Sequence, residues 1–574
     1  MENIQKVQLT KMIRKLKGVA NRCKCSAPAA LGTILGAWCE IDFPKLPDPN
    51  LPASDAFASE KPTQMFVEKL RSLPFMEASY WLSSFYAITA TQNKRKSLAL
   101  YFTPPSLTRG LLDDLENAGV DFCNQKFMDP ASGGAAFLTP IALRISNRLS
   151  AQGMGSKKLL EHVETHICGV EIETALCELS KHFLKMALYK EIVCSGYLPN
   201  FKVYNCDSLT SAFSPVFDAD IVLCNPPYRK ITKEEKSKFE ENFALVMKGQ
   251  SNLYSLFIFK CVELAKDGGF VALVTPTSFM SGQCFSKLRR YLTEQTNIIH
   301  IGMISEKIGV FIDVEQETAL TVLRKKKSSG KVSVDVSVVS SSGEYTNVGS
   351  CLLPTNEAVW PIPRSERSNA ILAAACASPF RINDYGYVAR IGSWVWNRDT
   401  RPKYETYEEA KLAKARTSLP LLWSRDISSD GRVLFDQNNG SPDGHRFVDL
   451  GSRAHRSAVL KPSLILQRVT SNDQPRRLIA ASVPSFIYRK YGGFVGENHI
   501  VILEQADNAL FTPEDMAKIL TTDAIDNYFR CISGATNISI FELTQLPLPD
   551  PIKLKNALSR CDSFDKAITL AFAM

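Results

Sequence analysis

No apolar run in this chain approaches the length needed to cross a bilayer, so no membrane-embedded segment is expected. Paired cysteines are missing too. The 15 cysteines are odd in number and scattered, with no Cys-x-x-Cys among them. That pattern disfavours a disulfide framework and predicts reduced thiols in a cytoplasm. Cys23 and Cys25 stand too close together for a standard zinc pair. Histidine is scarce, at 7. His162 and His166 have helical ligand spacing, but no further ligand accompanies them, so no metal site is expected. The start, Met1 to Lys17, is basic and has no apolar centre, which excludes a secretory signal reading. A strong charge bias is also lacking. Lys plus Arg is 68 against 59 for Asp plus Glu, a net +9, which suits a polyanionic partner without demanding one.

What remains is the composition of a globular protein, 45% apolar and 22% charged, in 574 residues. A chain of that length divides into two or three domains. Residues 1–100 read as a helical extension, with Val7, Leu9, Met12, Ile13 and Leu16 at approximate helical spacing and a Pro-rich loop from Phe43 to Pro62. From Tyr101 the pattern alternates between strands and helices. Strands are expected at 126–128, 166–172, 203–206, 220–224, 270–274, 298–304 and 318–323. Helices are expected at 136–149, 174–188 and 285–295, with another capped by Ser251 and stopped by Gly268-Gly269. This alternation implies an α/β fold with a doubly wound, mainly parallel sheet over 101–327. The basic stretch Lys325 to Lys331 reads as a linker, and 328–574 as a separate C-terminal α/β domain.

The chemistry gathers at strand ends. Ile221-Val222-Leu223-Cys224 reads as a buried strand and stops at Asn225-Pro226-Pro227-Tyr228. Two successive prolines cannot continue a ladder, so a carboxamide, freed carbonyls and an aromatic ring are held at the strand's carboxyl end. Such a site can accept hydrogen bonds from a planar amino group while the ring stacks on the heterocycle that bears it. Upstream, Asp129-Pro130-Ala131-Ser132-Gly133-Gly134-Ala135 follows a strand and opens a helix. Small residues there let backbone approach a ligand, although a purely structural turn fits that segment alone equally well. Glu171 and Asp207 end the next two strands. Carboxylates at such positions suit a ribose diol, and Asp207 could accept from an adenine amino group. Singly, each carboxylate could equally be a solvated loop acid. The ordered set Asp129, Glu171, Asp207, Asn225 points to one nucleotide-like site.

With these residues in view, the chain resembles the gamma-type adenine-N6 DNA methyltransferases of type II restriction-modification systems. Asp129 to Leu138 is similar to the family's cofactor motif, with Ser132 where Cys is common and Gly134-Ala135 in place of Ser-Gly. Asn225 to Tyr228 matches its catalytic Asn-Pro-Pro-Tyr. Tyr101-Phe102-Thr103-Pro104 resembles the segment that closes over the methionine part of S-adenosylmethionine. Gly309 to Asp313 resembles the late motif whose aromatic, here Phe311, flanks a flipped base. The resemblance covers roughly Tyr101 to Arg324. It runs more loosely into the C-terminal region, at Gly496 to His499 and Leu546 to Pro549.

The resemblance implies a Rossmann-like sheet and S-adenosylmethionine as cofactor. It places the cofactor against Phe102, Thr103, Pro104, Asp129, Pro130, Ala131, Gly133, Glu171, Ile172, Asp207, Ser208 and Asn225. It assigns catalysis to Asn225, Pro226, Pro227, Tyr228 and Phe311. It makes double-stranded DNA the partner and 328–574 the target-recognition domain, with Arg398, Arg468, Arg476 and Arg477 as candidate contacts and Arg401 beside them. A cognate restriction endonuclease is a candidate partner, since no fused nuclease motif is evident. Alternatives stay open at this level: methylation of a protein glutamine, methylation of RNA adenine, or a DNA-binding specificity subunit without transfer. The recognised sequence and the oligomeric state are not readable from the chain.

Overall fold

The computed structural model describes the chain apart from residues 1–2, 211–212, 214–216, 305–316, 327–331, 436–443, 471–473 and 535. It divides into two compact units. One comprises Met1–Phe279 with Cys284–Glu357, and the other Met280–Gln283 with Ala358–Met574.

The first unit is built on a nine-stranded sheet. Its strands are β1 (Phe127–Asp129), β2 (Ile167–Glu171), β3 (Lys202–Asn205), β4 (Ala219–Cys224), β5 (Ala265–Pro276), β6 (Thr296–Ile304), β7 (Thr318–Lys325), β8 (Val332–Val339) and β9 (Tyr345–Leu353). They lie in the order β3-β2-β1-β4-β5-β7-β6-β8-β9. β1 to β5 run parallel, and β7 inserts antiparallel between β5 and β6. The inner parallel strands β1, β2 and β4 are almost wholly buried and read as apolar runs rather than alternating ones, whereas the edge strand β3 exposes Lys202, Tyr204 and Asn205. Ile221, Val222, Leu223 and Cys224 are all fully buried. Strand order reverses between β1 and β4, and at that switch point the loops from the two strands diverge and leave a crevice.

The doubly wound α/β sheet is therefore as expected, with strand ends within a few residues of the predicted ones. Three details differ. Ser251 does not cap the helix Leu253–Leu264; Asn252 precedes it, while the Ser251 hydroxyl accepts from the Lys248 amide at 3.4 Å. Gly268-Gly269 lies inside the extended β5 rather than ending that helix. Most importantly, the chain after residue 331 does not leave the sheet. β8 pairs parallel with β6, and β9 pairs antiparallel with β8. The boundary expected at 327/328 falls inside this unit, and the division between units lies at 357/358. Strand pairing across a basic segment is a long-range event, so local composition marked the wrong place.

The N-terminal helices belong to the same unit. Leu9, Ile13 and Leu16 of Asn3–Arg22 are buried, as their spacing predicts, whereas Val7 is exposed. This layer packs on the helix Thr174–Ala187 through Leu176, Leu179 and Phe183. Two polar ties join it to the exit of β2: the Tyr86 hydroxyl and the Lys94 ammonium both donate to Glu173 Oε1, each at 2.7 Å.

The second unit holds two small sheets. Tyr387–Ile391, Ile500–Gln505, Ser463–Gln467 and Ala480–Ser482 form an antiparallel four-stranded sheet, backed by helices such as Pro513–Leu520 and Asp523–Ile532. Lys403–Tyr404, Phe447–Asp449, Ser418–Leu422, Phe494–Gly496 and Ala458–Val459 form a five-stranded one. Here one candidate DNA contact is corrected. Arg477 is fully buried. Its guanidinium donates to the Thr470 carbonyl and, at 3.1 Å, to Ser533 Oγ, and it lies over the Phe529 ring. A buried guanidinium with these partners holds the core and cannot reach a groove. Arg476 stays partly exposed, bonded to the Thr521 carbonyl and paired with Asp523 at 3.0 Å.

Replacing Arg477 by Ala should leave a cavity and deprive the buried Thr470 carbonyl of its guanidinium donor, costing about 2–4 kcal/mol of stability. Urea unfolding measures this; unchanged stability would show that the guanidinium is not a core element.

Candidate active site

The carboxyl ends of β1 to β4 open on one cavity, about 170 Å³ in volume. It is lined by Asp129, Pro130, Ala131 and Gly133 after β1, and by Glu171 and Ile172 after β2. Asp207 and Ser208 line it after β3, Asn225 and Pro227 after β4. Phe102 and Thr103 line it from the segment ahead of the helix Pro105–Asn117. The glycine turn thus shares one space with Asn225 and Pro227, whereas Tyr228 does not line it. Pro104 and Pro226 are buried beside it without lining it, and Pro104 takes the N-cap position of Pro105–Asn117. Phe311 lies outside the described residues.

Asp129 is 1% exposed and accepts from the Ala131 amide at 3.0 Å. Burial pushes its carboxyl up to about 8. Glu171 accepts from the Glu173 and Gly133 amides, both at 2.8 Å, and burial pushes it up to about 7. Gly133 takes a φ of +53°, which its lack of a side chain allows, and a Cβ there would meet the Phe102 ring at 3.2 Å.

The two departures at Gly134-Ala135 have a physical explanation. A Cβ at 134 would meet Ser83 Oγ at 2.1 Å, so the N-terminal helix Phe75–Thr89 has taken the space of a Ser side chain. Ala135 nevertheless keeps a left-handed φ of +56°, an unusual conformation for a residue with a Cβ.

The Ser208 hydroxyl donates to the Pro130 carbonyl at 2.8 Å and ties the β3 and β1 loops together. Asp207 spends one oxygen on the Leu209 amide at 2.9 Å. Ile172 is 55% exposed at the cavity wall, an apolar surface with no protein partner covering it. Buried carboxylates with remaining lone pairs, an exposed aliphatic face and a glycine turn fit a ligand carrying hydroxyls on a flat apolar ring.

At the β4 end, the Asn225 amide nitrogen donates to Thr103 Oγ1 at 2.9 Å and faces the Tyr101 carbonyl at 3.4 Å. Its oxygen accepts from the Tyr228 hydroxyl at 2.7 Å. That hydroxyl lies 2.8 Å from the Val274 carbonyl as well. The Tyr228 ring meets Tyr254 edge-on, centroids 6.2 Å apart.

Several lining residues were not anticipated. Leu253 and Phe257, from the helix Leu253–Leu264, face the cavity, and so does Phe239 from Lys233–Phe243. Arg229, next to the Asn-Pro-Pro-Tyr segment, forms a two-armed ion pair with Glu235 at the cavity wall. An apolar helix face gives no local sign of which side chains meet a ligand. Arg229 could have been suspected from its neighbours alone. His162 and His166, set aside as metal ligands, stack on each other with centroids 3.7 Å apart, and His162 Nε2 bonds the Cys123 carbonyl. The candidate DNA contacts lie in the second unit: Arg398 is exposed, and Arg468 donates to the Asn498 carbonyl at 2.9 Å. Arg401 is spent on Asp399 and on the Trp394 ring.

The cavity at the switch point of the doubly wound sheet lies where open α/β sheets bind nucleotide-like ligands. Residues 166–311 match the sequence model of the Eco57I restriction-modification methylase family. The type II methyltransferase M.BsuBI of Bacillus subtilis is 28% identical over 486 residues, covering 79% of this chain and 88% of that protein. M.PstI of Providencia stuartii is 22% identical over 378 residues, covering 62% and 69%. The solved structure of the type IIL restriction-modification enzyme MmeI in complex with DNA shares the fold at a TM-score of 0.54 and 13% identity, covering 99% of this chain and 92% of that one. These findings bear out the resemblance read from the sequence, a restriction-modification methylase with S-adenosylmethionine as methyl donor.

Because Asp129 and Glu171 hold protons in the native protein to about 8 and about 7, the folded state binds more protons than the unfolded chain above the ordinary carboxylate range. Stability of the unliganded protein should therefore fall as pH rises from about 5 to about 8, then level off. Denaturation midpoints across that range check the slope, and Glu171→Gln should flatten its lower half.

Proposed function

We propose that the protein transfers a methyl group from S-adenosylmethionine to the N6 amino group of an adenine swung out of a specific DNA sequence, within a restriction-modification system. The observation that carries this reading is the shared cavity, lined by Asn225 together with Asp129, Glu171 and Asp207.

When bound, S-adenosylmethionine supplies an electrophilic methyl group. Glu171 would accept from the ribose hydroxyls, with Ile172 against the adenine ring of the cofactor and Asp207 near its amino group. Phe102 and Thr103 would border the methionine part, and Gly133 leaves room for it. At the other end, the chain has to stabilise positive charge that develops on an exocyclic nitrogen as its lone pair leaves the ring. Asn225 Oδ1 and the Pro226 carbonyl are the acceptors for that task. Neither His nor Lys is needed as a base before attack, since the proton can leave afterwards. Positioning supplies much of the rate.

A base inside a duplex is out of reach of this pocket, so flipping is part of the reading. Tyr228 would stack on the extruded ring, and Phe311 would flank it. Stacking is worth about 1–3 kcal/mol per base, comparable with the cost of unstacking. The second unit is read as the target-recognition domain, with Arg398, Arg468 and Arg476 as the remaining candidate contacts. Cleavage of unmodified DNA would fall to a partner endonuclease. Against a protein-glutamine acceptor stands this additional unit of two sheets, which a small amide substrate does not require.

Incubation with DNA and labelled S-adenosylmethionine, followed by digestion and mass spectrometry of the nucleosides, should place the label on N6-methyladenine. Label on cytosine, RNA or protein would overturn the assignment. Asn225→Ala should lower turnover by about a hundredfold or more, the scale of losing a preorganised acceptor. Asn225→Asp should retain measurable activity, and Tyr228→Ala should weaken target binding by about 1–3 kcal/mol.

A further inference from the structure

Glu497-Asn498-His499 is the crossover between the two sheets of the second unit, joining Phe494–Gly496 to Ile500–Gln505. Its backbone is tied at every residue. The Glu497 amide donates to the Leu422 carbonyl at 2.9 Å and the Asn498 amide to the Trp394 carbonyl at 2.8 Å, while the His499 carbonyl accepts from the Arg468 amide at 2.8 Å. Gly392 packs so close to the Glu497 carbonyl that a Cβ would not fit there.

Within this rigid turn Glu497 is 1% exposed, and both of its carboxyl oxygens go to His499. Oε2 accepts from the His499 amide at 2.9 Å, and Oε1 lies 2.6 Å from Nδ1. The imidazole is about half exposed, and its Nε2 has no partner among the described residues. An uncharged side chain would cap the same amide, so the turn by itself gives no reason to bury an acid, which is costly. What the acid adds is a grip on one ring nitrogen. That grip fixes the plane of the imidazole and gives the other nitrogen a set direction.

We propose that His499 is a specificity-determining residue that reads a base edge of the DNA target, with Glu497 as the positioning residue behind it. This rests on the DNA-methyltransferase reading above. A phosphate contact needs only a cation within reach and carries no sequence information, whereas one base edge is told from another by hydrogen bonds of fixed direction. A ring clamped from behind on a tied backbone suits the second task. The surroundings suit a duplex. Arg468 donates to the Asn498 carbonyl of the same turn, and the loop held there by Trp394 carries the half-exposed Trp396 and the exposed Arg398. Glu497, being buried, acts only through His499.

The test begins with wild-type protein. Long-read mapping of the bases it modifies gives the recognised sequence, and a panel of duplexes then carries that sequence and each single base-pair change in it. Methyl transfer is followed as kcat/KM on every duplex, and S-adenosylhomocysteine binding by calorimetry. His499→Ala should lower kcat/KM on the recognised sequence about tenfold to a hundredfold, the scale of one lost base contact. Discrimination at one base pair should relax by a similar factor. Discrimination elsewhere should stay within about threefold, and S-adenosylhomocysteine affinity within about twofold. Glu497→Gln should relax the same base pair, yet cost about twofold or less in the His499→Ala background. A loss equal on all duplexes, with the salt slope of binding reduced by about one, would make His499 a phosphate contact and overturn the proposal. Unchanged specificity in His499→Ala would overturn it too. So would a Glu497→Gln loss as large without His499 as with it, which marks a merely structural acid. Should Glu497→Gln not fold, the His499→Ala panel decides alone. If the mapped base is not N6-methyladenine, the adenine reading fails while the panel still decides this assignment. If wild-type protein methylates no DNA, both fall.

Discussion

The site depends on one constraint: both ends of the Asn225 side chain are held by the protein, the nitrogen by Thr103 and Tyr101 and the oxygen by the Tyr228 hydroxyl. That commitment requires two segments far apart in sequence. Tyr101 and Thr103 come from the stretch ahead of Pro105–Asn117, and Asn225 from the end of β4. The parallel sheet brings them together, because β4 ends at the switch point where the chain's loops part. The two prolines after Asn225 stop the strand there, so the carboxamide is delivered at the rim instead of being paired into a ladder.

The same segment faces both ends of the cavity. Phe102 lies over Gly133 of the glycine turn, while its neighbours hold the Asn225 amide. The helical N-terminal layer supports this arrangement from outside. Ser83 fills the space above Gly134, and Tyr86 and Lys94 grip Glu173 just past β2. A layer that looked like a separate extension is therefore part of the wall that shapes the cofactor turn. It accounts for Gly134, where the usual motif has Ser.

Burial sets the electrostatics. Two carboxyls, Asp129 and Glu171, sit almost out of water and share a cavity wall. Each takes backbone amides as donors, and each is still raised toward neutrality because those bonds do not replace lost hydration. A ligand that brings donors, and a positive charge, would meet acceptors that the empty protein cannot satisfy by itself.

The sequence alone determined the alternation of strands and helices from 127 to 325 and the places where that alternation ends in polar or proline residues. Asp129, Glu171, Asp207 and Asn225 are legible as rim residues on that ground. Those features are local: an apolar run marks a buried strand, and the residues just past its end mark the rim. Only the tertiary structure decided what depends on distant partners. It kept β8 and β9 in the first unit, because strand pairing joins residues with no local signal between them. It withdrew Arg477 from any surface role, since an arginine inside a core looks the same in sequence as one in solvent. It also joined the Asn225 side chain to Thr103, a partner 122 positions away in the chain.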